Sequence, residues 1–161
     1  MVKTRKKIDR FWKRFSELSQ DIIKTPEDDR LIEEVNLIVD EIGDYDWEYG
    51  PSEKYGHYFA LSPKYQENLL DEVNTVVSMS PDINGWEMLS GKPRKNEPLV
   101  QWYMPSADGE EILVRTNGWR CILFKFPDNT YDLDVRLTNL NIDEETQYQA
   151  IDIHLTNLLG E

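Results

Sequence analysis

Cysteine is nearly absent: Cys121 is the only one in 161 residues. No intrachain disulfide can form, and no thiolate cage for zinc. Histidine is almost as scarce, with only His57 and His154. Neither has a neighbour in sequence that marks a catalytic triad or an HExxH metal pair. No apolar run reaches the ~20 residues that span a bilayer. The patterns GxGxxG, GxxxxGK[ST] and GxSxG are missing, which removes the usual dinucleotide, phosphate-loop and nucleophile-elbow signatures. The basic opening runs into Ser16, Glu17, Ser19, Gln20 and Asp21 rather than an apolar stretch. No signal peptide is therefore expected, and a cytoplasmic location is.

What the chain has in excess is acid. Its net charge is -13. The first fourteen residues run the other way, with Lys3, Arg5, Lys6, Lys7, Arg10, Lys13 and Arg14 against Asp9, a local +6 that leaves -19 on residues 15–161. Such a body repels nucleic acid and anionic membrane, and it attracts basic partners. Hydrophobic residues make up 39% of the chain and charged residues 30%, a balance that suits one soluble domain with a real core.

Periodicity then predicts the elements. Ile8, Phe11, Trp12, Phe15, Leu18 and Ile22 form one stripe of a helix over residues 4–23. Thr25-Pro26 reads as the start of a second helix, with Leu31, Val35, Ile38, Val39 and Ile42 as its stripe. Tyr45, Trp47 and Tyr49 alternate with Asp44, Asp46 and Glu48, a half-buried strand that Gly50-Pro51-Ser52 should break. Residues 56–61 return as a strand. Ser62-Pro63 should open a third helix, ended by Ser80-Pro81. Strands are then expected at 86–89, 112–116, 119–126 and 131–137, with 99–104 open between strand and short helix. Asn117-Gly118 is read as a type I′ hairpin turn. A last helix should run from about Asp143 to Leu159, with Ile151, Leu155, Leu158 and Leu159 on its apolar face and Gly160 as its stop. The expected fold is α+β: one antiparallel sheet of five to six strands, with the helices packed mainly on one face. A single domain is expected, with residues 91–98 as its best internal break.

Trp47-Glu48-Tyr49-Gly50-Pro51, Leu61-Ser62-Pro63, Ser80-Pro81, Gly85-Trp86-Glu87, Lys92-Pro93 and Leu158-Leu159-Gly160-Glu161 carry a resemblance. With Phe11-Trp12-Lys13-Arg14-Phe15, the chain resembles a family of small uncharacterised bacterial proteins that open with a Phe-Trp…Phe helix. Met79-Ser80-Pro81 stands where that family would have Ala before Pro. The resemblance implies one compact α+β domain and carries over no catalytic residue or cofactor.

The candidate chemistry is sparse. Strand spacing sets Asp44, Asp46 and Glu48 on one face, where oxygen ligands would suit Ca²⁺ or Mg²⁺. The bland reading is a solvated face opposite buried aromatics, and it is the expected one. Asp132, Asp134 and Arg136 repeat the pattern with the same reading. Cys121, at the same strand parity as Trp119 and Leu123, is expected as a small buried hydrophobe. The basic helix is expected to dock its stripe on the core and turn its cations to the acidic body. Two function classes follow. One is a non-catalytic acidic protein that binds a basic protein, an immunity- or antitoxin-like inhibitor being one version, with Trp47, Tyr49 and Tyr55 as anchors. The other is a metal-assisted hydrolase built on Asp44, Asp46 and Glu48. A self-associating subunit, a homodimer through its aromatic surplus, is a third possibility. No cofactor, nucleic-acid or membrane partner is expected.

Overall fold

The computed structural model describes residues 5–97, 99–106, 108–138 and 142–161. Lys3 of the basic opening lies outside them. Among the described residues four helices and seven strands make an α+β fold. None of these helices is long and apolar enough to cross a membrane. The chain divides into two compact units, Met1–Pro93 with Glu161, and Arg94–Gly160. The boundary falls inside the 91–98 loop.

The N-terminal unit opens with α1 (Arg5–Lys24), and all six residues of its predicted stripe are buried. Phe15 is fully buried against Phe59, their ring centres 4.4 Å apart. The indole N–H of Trp12 donates to the carbonyl of Val76 at 2.8 Å, so even this polar atom is satisfied inside the core. The second helix, α2 (Asp29–Ile42), starts later than predicted. Asp28 caps it, accepting from the amide of Arg30 at 2.9 Å. Thr25 instead turns its hydroxyl back to the carbonyl of Asp21 at 3.0 Å, closing α1 rather than opening α2. Arg10 and Arg14 of α1 meet Glu41 and Glu34 of α2. These pairs are exposed and screened, so they orient the helices more than they stabilise them.

Three strands follow: β1 (Asp46–Ser52), β2 (Gly56–Ser62) and, after α3 (Glu67–Ser78), β3 (Trp86–Ser90). β1 pairs antiparallel with β2, and β3 pairs with β2 in parallel. The parallel pair departs from the all-antiparallel expectation. It needs a crossover, which α3 supplies. β1 also runs through Gly50 and Pro51 instead of breaking there. Pro51, opposite His57, is tolerated because β1 is an edge strand. Gly50 lies under the Tyr58 ring: a Cβ there would stand 2.8 Å from the Tyr58 hydroxyl and force that side chain to shift. The stretch Tyr58–Ser62 is buried throughout. Ser62-Pro63 does not begin α3. Lys64 and Tyr65 take left-handed backbone, φ 55° and 57°, and the helix waits until Glu67.

The C-terminal unit holds two separate ribbons and a helix. β4 (Gln101–Pro105) pairs antiparallel with β5 (Glu111–Arg115), and β6 (Arg120–Lys125) with β7 (Tyr131–Arg136). Among the described residues the single sheet of five to six strands is therefore corrected to three small sheets of three, two and two strands. The misread element is Asn117-Gly118. A type I′ turn needs positive φ at both residues, and only Gly118 has it, at 90°. The turn redirects the chain rather than pairing β5 with β6. α4 (Glu144–Leu159) is capped by Asp143, which accepts from the amide of Thr146 at 2.9 Å and from its hydroxyl at 2.6 Å. Its buried residues are Thr146, Ala150 and Thr156, not the predicted large aliphatics, and Leu158 and Leu159 are exposed. Short side chains make room for Trp102 and Trp119, which pack with Met104, Val114 and Ala150 in the small core of this unit.

Candidate functional site

Asp46 opens β1 and Asp44 lies in the bend just before it. Lys64 reaches both, at 2.6 Å from Asp44 Oδ1 and 3.5 Å from Asp46 Oδ1. Lys92 stands 3.7 Å from the other oxygen of Asp46. Asp46, Lys64 and Lys92 line a polar groove of about 540 Å³ together with Glu33, Asn36 and Asp40. The hydrogen bond to Asp44 raises the Lys64 pKa, so its ammonium stays charged. Glu48, the third carboxylate, accepts from the Tyr58 hydroxyl. Burial first, and Glu48 second, push the Tyr58 phenol well above its ordinary range, so it stays a donor. Tyr45 behaves alike, buried and donating to Glu72 at 3.1 Å. Each carboxylate of the 44–48 cluster thus faces a cation or a phenol. Among the described residues no group of three or more His, Cys, Asp or Glu is arranged to hold a metal ion.

The aromatic residues predicted as anchors divide. Trp47 is half-buried, donates its indole N–H to Asn36 Oδ1 at 2.9 Å, and stacks on Phe59 with ring centres 6.1 Å apart. Tyr49 stacks on Trp47 and donates its hydroxyl to the carbonyl of Pro26. Both pack against the N-terminal core. Tyr55 alone stands in solvent, beneath the Lys54 ammonium at 4.7 Å from the ring centre.

Of the three residues that bear most on nucleophilic chemistry, His57 belongs to the N-terminal unit and Cys121 and His154 to the C-terminal one. His57 packs half-buried on Trp86, with ring centres 5.5 Å apart. His154 lies parallel to Trp102 and edge-on to Trp119, at 6.3 and 5.3 Å. The Nδ1 of His154 and the Nε1 atoms of both tryptophans are buried without a protein partner. Cys121 is exposed, which overturns its expected burial. The alternation was read correctly. What the sequence could not supply is a layer to cover that face of β6.

That bare ribbon is the feature sequence reading missed. Every residue of β6 is exposed, and Ile122, Leu123 and Phe124 are 55, 63 and 49% accessible. Phe126 and Tyr131 beside the turn are exposed too. Register sets Ile122 opposite Asp134 and Phe124 opposite Asp132, so apolar and acidic side chains share one face, closed at its far end by Arg120 and Arg136. The other face carries Cys121, Leu123, Leu133, Val135 and Tyr131, with the Lys125 ammonium 5.6 Å from the tyrosine ring centre. The signal was present in part: five of the six residues Cys121–Phe126 are apolar, a run with no polar side for solvent to take.

Comparison with known proteins adds no relative: no family model, no curated protein and no solved structure matches this chain.

Proposed function

We propose that the chain is a non-catalytic interaction protein that binds a basic protein partner, an immunity- or antitoxin-like inhibitor being one version. The observation that carries this reading is the β6–β7 ribbon, with Ile122 and Phe124 in solvent beside Asp132 and Asp134. Large apolar side chains set among charges match the core-and-rim composition of a protein interface. The net charge of -13 then supplies the steering field that draws a cationic partner in. The anchors proposed from sequence shift accordingly: Trp47 and Tyr49 serve the fold, while Tyr55 stays available and the ribbon takes the central role. The carboxylates Asp44 and Asp46 are matched by Lys64 and Lys92, which favours this reading over a metal-assisted hydrolase.

The test is capture from the native host at low salt, with wild type beside Phe124→Ser and the pair Asp132→Asn and Asp134→Asn. The reading expects a basic protein that is retained by wild type, released as salt rises, and lost by both variants. Capture that is absent, or equal in all three, contradicts it. A second reading, self-association, rests on the open strand edges of both two-stranded sheets. Light scattering at rising concentration decides it: growth of the mass to twice 19.0 kDa supports a dimer, and a constant mass excludes it.

A further inference from the structure

The left-handed turn after β2 has no role in helix initiation, since α3 starts beyond it. Two successive non-glycine residues with positive φ are costly, on the order of 1–3 kcal/mol each. Something must hold Lys64 and Tyr65 there. The answer lies in what the turn presents. Ser62 is completely buried, yet its hydroxyl donates to Glu161 Oε1 at 2.7 Å while accepting from the amide of Lys64 at 3.1 Å. The amide of Tyr65 points to the same oxygen at 3.3 Å. The second oxygen, Oε2, accepts from the amide of Lys92 at 3.1 Å. The backbone of Glu161 is read as well, its N–H donating to the carbonyl of Lys92 at 2.9 Å.

The second wall of this site is fixed to the first. The amide of Gly91 donates to the carbonyl of Leu61 at 2.9 Å, which holds the 91–92 segment beside Ser62. Gly91 has φ 95°, and a Cβ there would come 3.1 Å from the carbonyl oxygen of Glu161. Only glycine fits that backbone and leaves room for the incoming residue. The two lysine ammonium groups nearby already face Asp44 and Asp46. Recognition of the Glu161 side chain therefore falls on a hydroxyl and two backbone N–H groups, a concave donor set of the kind that binds anions. Its donors engage both carboxylate oxygens, and its backbone contact matches one residue of an added strand.

We propose that the Ser62–Tyr65 turn and the Gly91–Lys92 segment form a receptor for a glutamate side chain on an extended peptide. Glu161 occupies it in cis, and an acidic peptide enters it in trans once Glu161 is replaced. The receptor is a property of the N-terminal unit. It is separate from the ribbon argued above, so either can fail alone.

The experiment uses full-length Glu161→Ala and two amidated peptides, Asn-Leu-Leu-Gly-Glu and the same sequence ending in Gln, followed by amide NMR signals. The variant should move the Tyr65 and Lys92 amides away from their wild-type positions. The Glu peptide should bring them back, and the Gln peptide should bind roughly tenfold more weakly, because the charge-assisted bonds are lost. Adding Ser62→Ala to Glu161→Ala should reduce the preference for Glu over Gln. The proposal is overturned if Tyr65 and Lys92 are unmoved by Glu161→Ala. It is equally overturned if the two peptides act alike, or if neither binds at millimolar concentration, since Glu161 is then only a local contact.

Discussion

The two units differ in how many of their aromatic residues they bury. In the N-terminal unit Phe11, Trp12, Phe15, Phe59 and Trp86 interlock inside one core, each ring within 6.4 Å of another. In the C-terminal unit Tyr103, Phe124, Phe126, Tyr131 and Tyr148 stand in solvent, and only Trp102 and Trp119 among the described aromatic residues pack on the small cluster of Met104, Val114 and Ala150. The difference is one of layers. A three-stranded sheet with α1 as a cover buries its inner face, whereas the two-stranded β6–β7 ribbon leaves every residue of β6 exposed. Apolar residues left outside by the fold are the ones free to act on a partner.

Mutations sharpen that contrast. Phe59→Ala should have the largest effect, removing about 3–5 kcal/mol from the unfolding free energy of the N-terminal unit in urea. Gly50→Ala comes next. The new methyl displaces Tyr58 from Glu48, at a cost of about 1–3 kcal/mol by the same measurement. A smaller effect is expected at Asp143. Hydrogen bonds from Thr146 hold its pKa below the ordinary carboxylate value. Its stabilisation of α4 is thus complete above the unfolded value, ~3.9, and fades as pH falls through the lower folded one. Asp143→Asn should flatten the acid limb of the helical circular dichroism signal. Phe124→Ala should change stability least, within about 0.5 kcal/mol. Cys121 should react with a thiol reagent in the folded protein nearly as fast as in urea. A slow thiol, or a Phe124→Ala cost matching that of Phe59→Ala, would erase the distinction between the units.

The sequence already contained most of the N-terminal unit. The stripe of α1 was legible because six apolar residues at helical spacing have one physical use, and all six are buried. The start of the last helix near Asp143 and its stop at Gly160 were legible for similar local reasons, though not the capping role of Asp143. Pairing was not. Whether β3 joins β2 in parallel, or β5 leaves β6 unpaired, is decided by contacts far apart in sequence, and the Asn117-Gly118 pair gave the wrong local hint. Burial of the last helix was misread because close packing around Trp102 selected Ala150 over Leu158. The lysine partners of Asp44 and Asp46 come from positions 64 and 92, which no local pattern links to them. The left-handed turn was hidden for the same reason: Ser62-Pro63 has the local form of a helix start, and its bond to Glu161 joins residues 99 positions apart.

Native-state hydrogen exchange tests the contrast between the units most directly, since it reads local opening residue by residue. The account predicts that amides of β2, from Tyr58 to Leu61, exchange only through global unfolding, while the paired amides of β6 and β7 exchange orders of magnitude faster in the unbound protein. Equal protection in β2 and in the β6–β7 ribbon would mean that the ribbon is held as firmly as the core, and would contradict it.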